Sequence, residues 1–218
     1  MIVVNFPHNP TGWHPEPSYT RELIALAESR DILLVADEVY AGLRLHEQTQ
    51  FESLAGLSPQ ALSIGSMSKA FAMPGVRVGW IATQNAEFIH RAARLHLYLN
   101  TYPAQPSEFL TLLALRHAEQ ILQRNCAIAQ ANYAQLAPLL DAVPHLIEWH
   151  KPVAGVVCYP RWRGGNSTEA LTGRFLQATG WLIAPSARFL AGDHHFRIGF
   201  GTRSLATWLP LLRNFLLA

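Results

Sequence analysis

The sequence has little of what several protein classes require. Two cysteines, Cys126 and Cys158, stand among 218 residues. They are too few for a disulfide scaffold and are not at metal-ligand spacing. Charge is sparse: 15% of residues are Asp, Glu, Lys or Arg, the formal net charge is +2, and the basic residues are mostly scattered single arginines. That balance gives no footprint for nucleic acid or for an anionic membrane surface. Apolar runs are broken by Asp, Arg, His or Pro before they reach membrane-spanning length. Residues 1–5 carry neither the basic region nor the cleavage signal of an export leader. Together these absences set the expectation of a reduced, cytoplasmic protein. Lysine is nearly missing too, since Lys69 and Lys151 are the only two. The ten histidines are dispersed, and His194-His195 has no third ligand nearby, so no metal is expected.

What is present suffices for a core, because half of the residues are apolar. The length fits one large domain or one and a half ordinary ones. In the first hundred residues, short apolar strands alternate with polar or helical connections. Strands are expected over residues 1–5, 31–36, 61–65 and 77–83, and a helix over 19–30, where Leu23, Ile24, Leu26 and Ala27 share a face. Strands that are apolar throughout imply a sheet covered on both faces, typically parallel. Asn85 is placed to cap a helix through Leu99. Helical patterns then run over 107–141 with a weak point near Asn125. Beyond them, 146–150 and 155–159 read as a hairpin, 168–179 as a helix, and 181–184 and 196–200 as short strands. Thr202 or Ser204 caps a last helix that runs to Ala218. Trp162, Trp181 and Trp208 read as core or domain-interface residues. The expected fold class is α/β: part of a mostly parallel-sheet large domain (1–100), a helical connection (101–125) and a smaller α+β domain (126–218).

Ligands of open parallel sheets bind at the carboxyl ends of the strands. Three polar clusters follow three of the expected strands: Asn9-Pro10-Thr11-Gly12, Asp37-Glu38-Val39-Tyr40 and Ser66-Met67-Ser68-Lys69. Parallel strands would set an amide, an acid with a phenol, and an amine with hydroxyls on one rim. Such a set suits a polar, charged, ring-shaped ligand. Each cluster alone is bland. Asn-Pro-Thr-Gly is an ordinary turn, acids often follow strands at a helix N-terminus, and a lone lysine is usually solvated.

Order and spacing change that reading. The stretch Asn5-Phe6-Pro7-His8-Asn9-Pro10-Thr11-Gly12 is followed by Asp37-Glu38-Val39-Tyr40 and by Ser66-Met67-Ser68-Lys69-Ala70. Arg77 stands eight positions after Lys69, and Phe196-Arg197-Ile198-Gly199 lies near the C-terminus. This ordered set resembles the class I/II, aspartate-aminotransferase-type family of fold-type I enzymes dependent on pyridoxal 5'-phosphate (PLP), over nearly the whole chain. The resemblance implies the following roles. Lys69 bears the cofactor, since a primary amine condenses with an aldehyde and, once freed, can carry a proton. Asp37 pairs with the pyridine nitrogen and keeps it protonated. Tyr40 and Asn9 hydrogen-bond the ring's phenolic oxygen. Ser66, Ser68 and Arg77 hold the phosphate, Ser66 aligning better than Ser68 with the family's phosphate-binding serine. Arg197 takes the substrate's α-carboxylate as a bidentate partner.

The implied activity is transfer of an amino group from an amino acid to a 2-oxo acid, in a homodimer. Other PLP chemistry on the same frame, β-elimination or a synthase reaction, shares these cofactor residues. In the family, the large domain begins well before the Asn-Pro-Thr-Gly loop. The resemblance therefore implies a truncated or split copy, one that pairs with a complementing portion or is a catalytically silent fragment. Residues 100–102 would border the dimer interface by position alone.

Overall fold

The computed structural model describes residues 1–100 and 102–217, so Thr101 and Ala218 lie outside the described residues. The chain divides into two compact units. The first comprises Met1–Pro7, His14–Gly42 and Gln48–Asn125, and the second comprises His8–Trp13, Leu43–Glu47 and Cys126–Ala218.

The first unit is built on a four-stranded sheet in the order β1 (Ile2–Asn5), β2 (Leu34–Asp37), β3 (Ala61–Ser66) and β4 (Gly79–Ala82). Three strands run parallel and in step, with Asn5 beside Asp37 and Asp37 beside Ile64, while β4 runs antiparallel to β3. Helix α1 (Pro17–Ser29) returns the chain from β1 to β2, and Pro17 at its first position suits a site whose N–H has no helical partner. The one-turn helix α2 (Leu54–Leu57) precedes β3. Ile24 and Ala27 of α1 pack with Leu54 of α2 on Leu34, Ala36 and Ala61 of the sheet, flanked by Ile2 and Val4. The alternation along β1 then turns Val3 the other way, where it is 62% exposed. Ile64, Trp80 and Ile81 are exposed as well. The expectation of a sheet buried on both faces therefore fails for the described residues: α1 and α2 cover one face only.

Asn85 caps α3 (Ala86–Asn100) as expected, its Oδ1 accepting from the Phe88 N–H at 2.9 Å. Helices α4 (Gln105–Arg116) and α5 (Ala118–Asp141) follow. The break between them falls at His117, whose N–H turns back to the Ala114 carbonyl at 3.1 Å. It does not fall near Asn125, where the sequence suggested it. Asn125 is a weak helix former held inside α5 by a tertiary bond, its Nδ2 donating to the Ala70 carbonyl at 2.9 Å.

The second unit holds β5 (Ile147–Glu148), β6 (Val157–Cys158), β7 (Arg161–Trp162), α6 (Thr168–Thr179), β8 (Ala184–Pro185), β9 (Phe196–Gly199) and α7 (Leu205–Leu217). Strand β9 lies between β6 and β8, antiparallel to both, and β5 pairs with β7. The expected hairpin between 146–150 and 155–159 does not form. The intervening segment is held elsewhere: Val153 and Ala154 N–H groups donate to the Gly12 carbonyl, and Gly155 N–H donates to the Leu43 carbonyl. Those bonds carry β6 away from β5 and onto β9. One core fills the unit, with Phe175 of α6, Phe196 and Ile198 of β9, Leu205 and Leu212 of α7, and Leu136 and Leu140 of α5 all fully buried. Trp208 belongs to that core, and Trp162 and Trp181 pack on its edge. Among the described residues, no helix is long and apolar enough to cross a membrane.

Candidate active site

The parallel register brings the carboxyl ends of β2 and β3 to one rim, and six of the residues singled out in the sequence stand there. Asp37 ends β2. Its carbonyl accepts from Phe6 N–H at 3.1 Å and from Asn5 Nδ2 at 3.0 Å, and its Oδ1 accepts from Val39 N–H at 3.2 Å. The next residue faces another task. Glu38 Oε1 accepts from the Leu54 N–H at the start of α2 (2.9 Å) and from the Ser63 hydroxyl (2.8 Å). Of the two adjacent acids, Glu38 is therefore occupied in fastening α2, and Asp37 is the one available at the rim. Tyr40 is 5% exposed.

Lys69 sits at the turn that follows β3. Met67 is fully buried and anchors this turn: its N–H donates to the Val78 carbonyl at 3.1 Å, and its carbonyl accepts from Met73 N–H at 2.9 Å. Ala70 is fixed at both ends, its N–H donating to the Val39 carbonyl at 3.3 Å and its carbonyl accepting from Asn125. These bonds hold Lys69 against the Asp37–Tyr40 segment, with Nζ 5.8 Å from the Tyr40 ring centroid. Ser66 Oγ accepts from Ser68 N–H at 3.3 Å. Arg77 is exposed, donates from Nη1 to the Pro74 carbonyl at 2.9 Å, and adopts a left-handed backbone at φ 55°. Ala72 shares that φ. For residues with a Cβ, such backbone costs on the order of 1–3 kcal/mol each and concentrates at functional sites. Two such positions follow Lys69 within eight residues.

The other two singled-out residues stand together in the second unit. Arg197 projects from β9 between the buried Phe196 and Ile198, so strand alternation turns its side chain off the core. Its Nη1 donates to Asn9 Oδ1 at 3.0 Å, and its guanidinium lies 5.0 Å from the Phe189 ring centroid. Asn9 belongs to a closed loop in which Gly12 N–H donates to the His8 carbonyl at 2.8 Å and His8 N–H to the Trp13 carbonyl at 2.7 Å. Gly12 is required in that loop. Its φ is +70°, and a Cβ there would collide with the Pro152 side chain and the Val157 carbonyl. The strand bearing Arg197 is tied to α6 through Asp193, whose Oδ1 accepts from the Thr168 hydroxyl (2.7 Å) and N–H (2.9 Å). The Thr168 hydroxyl holds the Asp193 carboxyl below the usual carboxylate range.

The sequence reading missed Phe189, which sits under Arg197, and Tyr159, which stacks on His195 with centroids 5.0 Å apart and planes 11° apart. Val157 and Cys158 are both buried, so no alternation along β6 marks Tyr159 as leaving the core. Cys158 is no reactive thiol, since burial pushes its pKa well up. Among the described residues, no cluster of His, Cys, Asp and Glu could hold a metal ion.

A partly parallel sheet whose rim presents an acid, a phenol, hydroxyls and a lysine on a braced turn places the chain in the α/β class with its polar groups gathered at strand ends. The chain belongs to the aminotransferase class I and II family, which matches residues 1–208. It is 28% identical to capreomycidine synthase of Streptomyces vinaceus over 200 residues, covering 92% of this chain and 51% of that protein. Among solved structures it is similar to a PLP-dependent aminotransferase of Streptococcus suis, with TM-score 0.91 and 26% identity, covering 99% of this chain and 56% of that one. It is also similar to the PLP-dependent cyclase OrfR, with TM-score 0.89 and 28% identity, covering 99% and 58%. The chain spans about half the length of the relatives it matches.

Proposed function

We propose that this chain carries the cofactor lysine and the carboxylate-binding arginine of a PLP-dependent aminotransferase that moves an amino group from an amino acid to a 2-oxo acid. The observation that carries the reading is the braced turn holding Lys69 beside Tyr40 at the rim that ends in Asp37. The donors present fit PLP. The cofactor has an aldehyde, a basic ring nitrogen, a phenolic oxygen and a phosphate; the chain offers an amine, a carboxylate, a phenol with an amide, and hydroxyls with a guanidinium.

When bound, PLP supplies an aldehyde that captures amines and a ring that takes up the electron pair left at the substrate's α-carbon. The Asp37 carboxylate holds a proton on the ring nitrogen, which makes that uptake favourable. Tyr40 and Asn9 donate to the phenolic oxygen. Ser66, Ser68 and Arg77 hold the phosphate through charge-assisted bonds. Lys69 tethers the cofactor and, once released, its amine moves the proton at the substrate's α-carbon. Arg197 orients the amino acid by its α-carboxylate. Residues 1–100 act as part of the cofactor domain, 101–125 as the connection and 126–218 as the small domain. A homodimer, or a complementing polypeptide with the rest of the fold, belongs to the same proposal, as does a cytoplasmic setting.

A second reading has its own support, because two of the similar proteins are named a synthase and a cyclase. Elimination or replacement at the side chain would use the same Lys69 and Asp37. The test is to mix the PLP-loaded protein with amino acids, with and without a 2-oxo acid acceptor. Transamination predicts turnover only with the acceptor, and new amino acid in equal amount to the oxo acid formed. Release of ammonia without acceptor favours the second reading, and no reaction with any amino acid opposes both.

A further inference from the structure

The first unit holds a cavity of about 200 Å³ between the start of α1, the residues just past β2 and the segment 50–54 that leads into α2. Strand alternation continued from the buried Leu34 and Ala36 puts Glu38 on the side of the sheet that α1 covers, and Asp37 on the other. Glu38 lines the cavity, and neither Asp37 nor Lys69 does. The cavity is thus separate from the rim that carries Lys69. Phe6, Pro15, Pro17, Phe51 and Leu54 give it apolar walls. His14 lies against Phe51, with ring centroids 4.8 Å apart.

The charged and imidazole groups of the lining offer acceptors without donors to match. Glu38 Oε1 accepts from the Leu54 N–H and the Ser63 hydroxyl, and Oε2 has no partner among the described residues. The Glu52 carboxylate is exposed and has none either. His14 Nε2 lies 3.0 Å from the Gln50 carbonyl. A carbonyl can only accept, so Nε2 carries the proton and the neutral ring presents Nδ1 as an acceptor. That Nδ1 is buried and without a hydrogen-bond partner among the described residues. Burial lowers the His14 pKa, against opposing pulls from the Gln50 carbonyl and Glu16, so the ring is neutral at neutral pH. No lysine or arginine lines the cavity. An anion would meet two carboxylates there. An ammonium brings donors to the acceptors and positive charge to the ring faces of Phe6 and Phe51. The acceptors do not form a cluster that could hold a metal ion, so a cation with a carbon chain suits them better than a bare ion.

We infer that this cavity binds a short aliphatic ammonium, with its carbon chain against Phe6 and Phe51 and its charged head on the acceptors of Glu38, Glu52 and His14. The inference goes beyond the aminotransferase reading and does not use Lys69. The probe is n-butylammonium, titrated into the full chain without added PLP, whose aldehyde would consume the amine. The neutral n-butanol and the anionic butyrate are the controls. Binding is followed by the His14 imidazole NMR shift and by calorimetry. The ammonium is expected to give a saturable His14 shift and to bind at least about tenfold more tightly than n-butanol, and butyrate should not bind. Glu52→Gln, at an exposed position that leaves the core untouched, should weaken the ammonium about fivefold and leave n-butanol unchanged. His14→Phe keeps a ring in place and removes the acceptor, so it should weaken the ammonium too. Lys69→Ala should change nothing. Absence of a saturable shift, equal binding of ammonium and n-butanol, binding of butyrate, or an ammonium affinity unaltered in either cavity variant would overturn the inference. So would loss of binding in Lys69→Ala, which would place the amine at the rim instead. Failure of the aminotransferase reading shows separately, as absence of a reducible cofactor on Lys69, and leaves this titration unaffected.

Discussion

The two units hold their candidate site residues by different means. In the second, Arg197 rises from a strand clamped between fully buried Phe196 and Ile198, over a core that also buries Phe175, Phe200, Leu136, Leu171 and Leu212. In the first, the large fully buried side chains are Leu34 and Met67, and the rim is fixed mainly by hydrogen bonds at strand ends. Apolar packing positions Arg197, whereas backbone carbonyls and amides position Lys69. The second unit should therefore fail by loss of packing, and the first by loss of single polar contacts.

Asp37→Asn should separate chemistry from structure most sharply. It removes the carboxylate proposed to hold the ring proton and leaves both bonds to the Asp37 carbonyl intact. Turnover should fall by about 10²–10⁴-fold, the usual range for a lost acid–base group, with labelling of Lys69 retained; parental turnover would break the assignment. Phe175→Ala should destabilise the second unit by about 3–5 kcal/mol, whereas Ile81→Ala, at a 45% exposed strand position, should stay within about 0.5 kcal/mol. Denaturant unfolding of the two variants would check that contrast, and equal losses would erase it.

Arg197→Lys keeps the charge but loses the planar fork, so KM for amino acids should rise about tenfold or more with kcat less affected. A KM unchanged across amino acids would remove Arg197 from its role. Asn125→Ala leaves the Ala70 carbonyl without its side-chain donor, at a cost of about 1–3 kcal/mol. It should loosen the Lys69 turn before it unfolds the unit, seen as faster amide exchange at 67–73; uniform exchange across the first unit would contradict that.

The smallest effect is in pH. Burial puts the folded-state pKa of His8 and His195 below the ordinary value of 6.5, so the unfolded chain takes up protons first as pH falls. Their contribution to stability is full above about pH 6.5 and is lost as pH drops through the lowered folded values. Imidazole titration by NMR should give midpoints for both below 6.5; midpoints above it would reverse the sign.

The placement of Asp37, Tyr40, Ser66 and Lys69 at or just past strand ends was legible in the sequence because chemistry-bearing residues follow strands at fixed order. The parallel part of the sheet and the cap at Asn85 were legible for the same local reasons. What escaped was decided by distant partners. Asn125 looked like a helix break because its bond to Ala70, 55 residues away, is invisible locally. The β5–β6 hairpin looked natural because nothing local announces that Gly12 and Leu43 hold the segment between them. The task of Glu38, which accepts from Ser63 and Leu54, was likewise invisible locally.

The most direct test of the central claim is to incubate the protein with PLP, reduce it with borohydride and map the labelled peptide. The sequence offers two lysines, Lys69 and Lys151, and Lys151 is already paired with Asp141 at 2.8 Å in the second unit. The account predicts a single pyridoxyl group on Lys69, lost in Lys69→Ala and kept in Lys151→Ala. A label on Lys151, or a chain that catalyses amino transfer with Lys69 unlabelled, would contradict it.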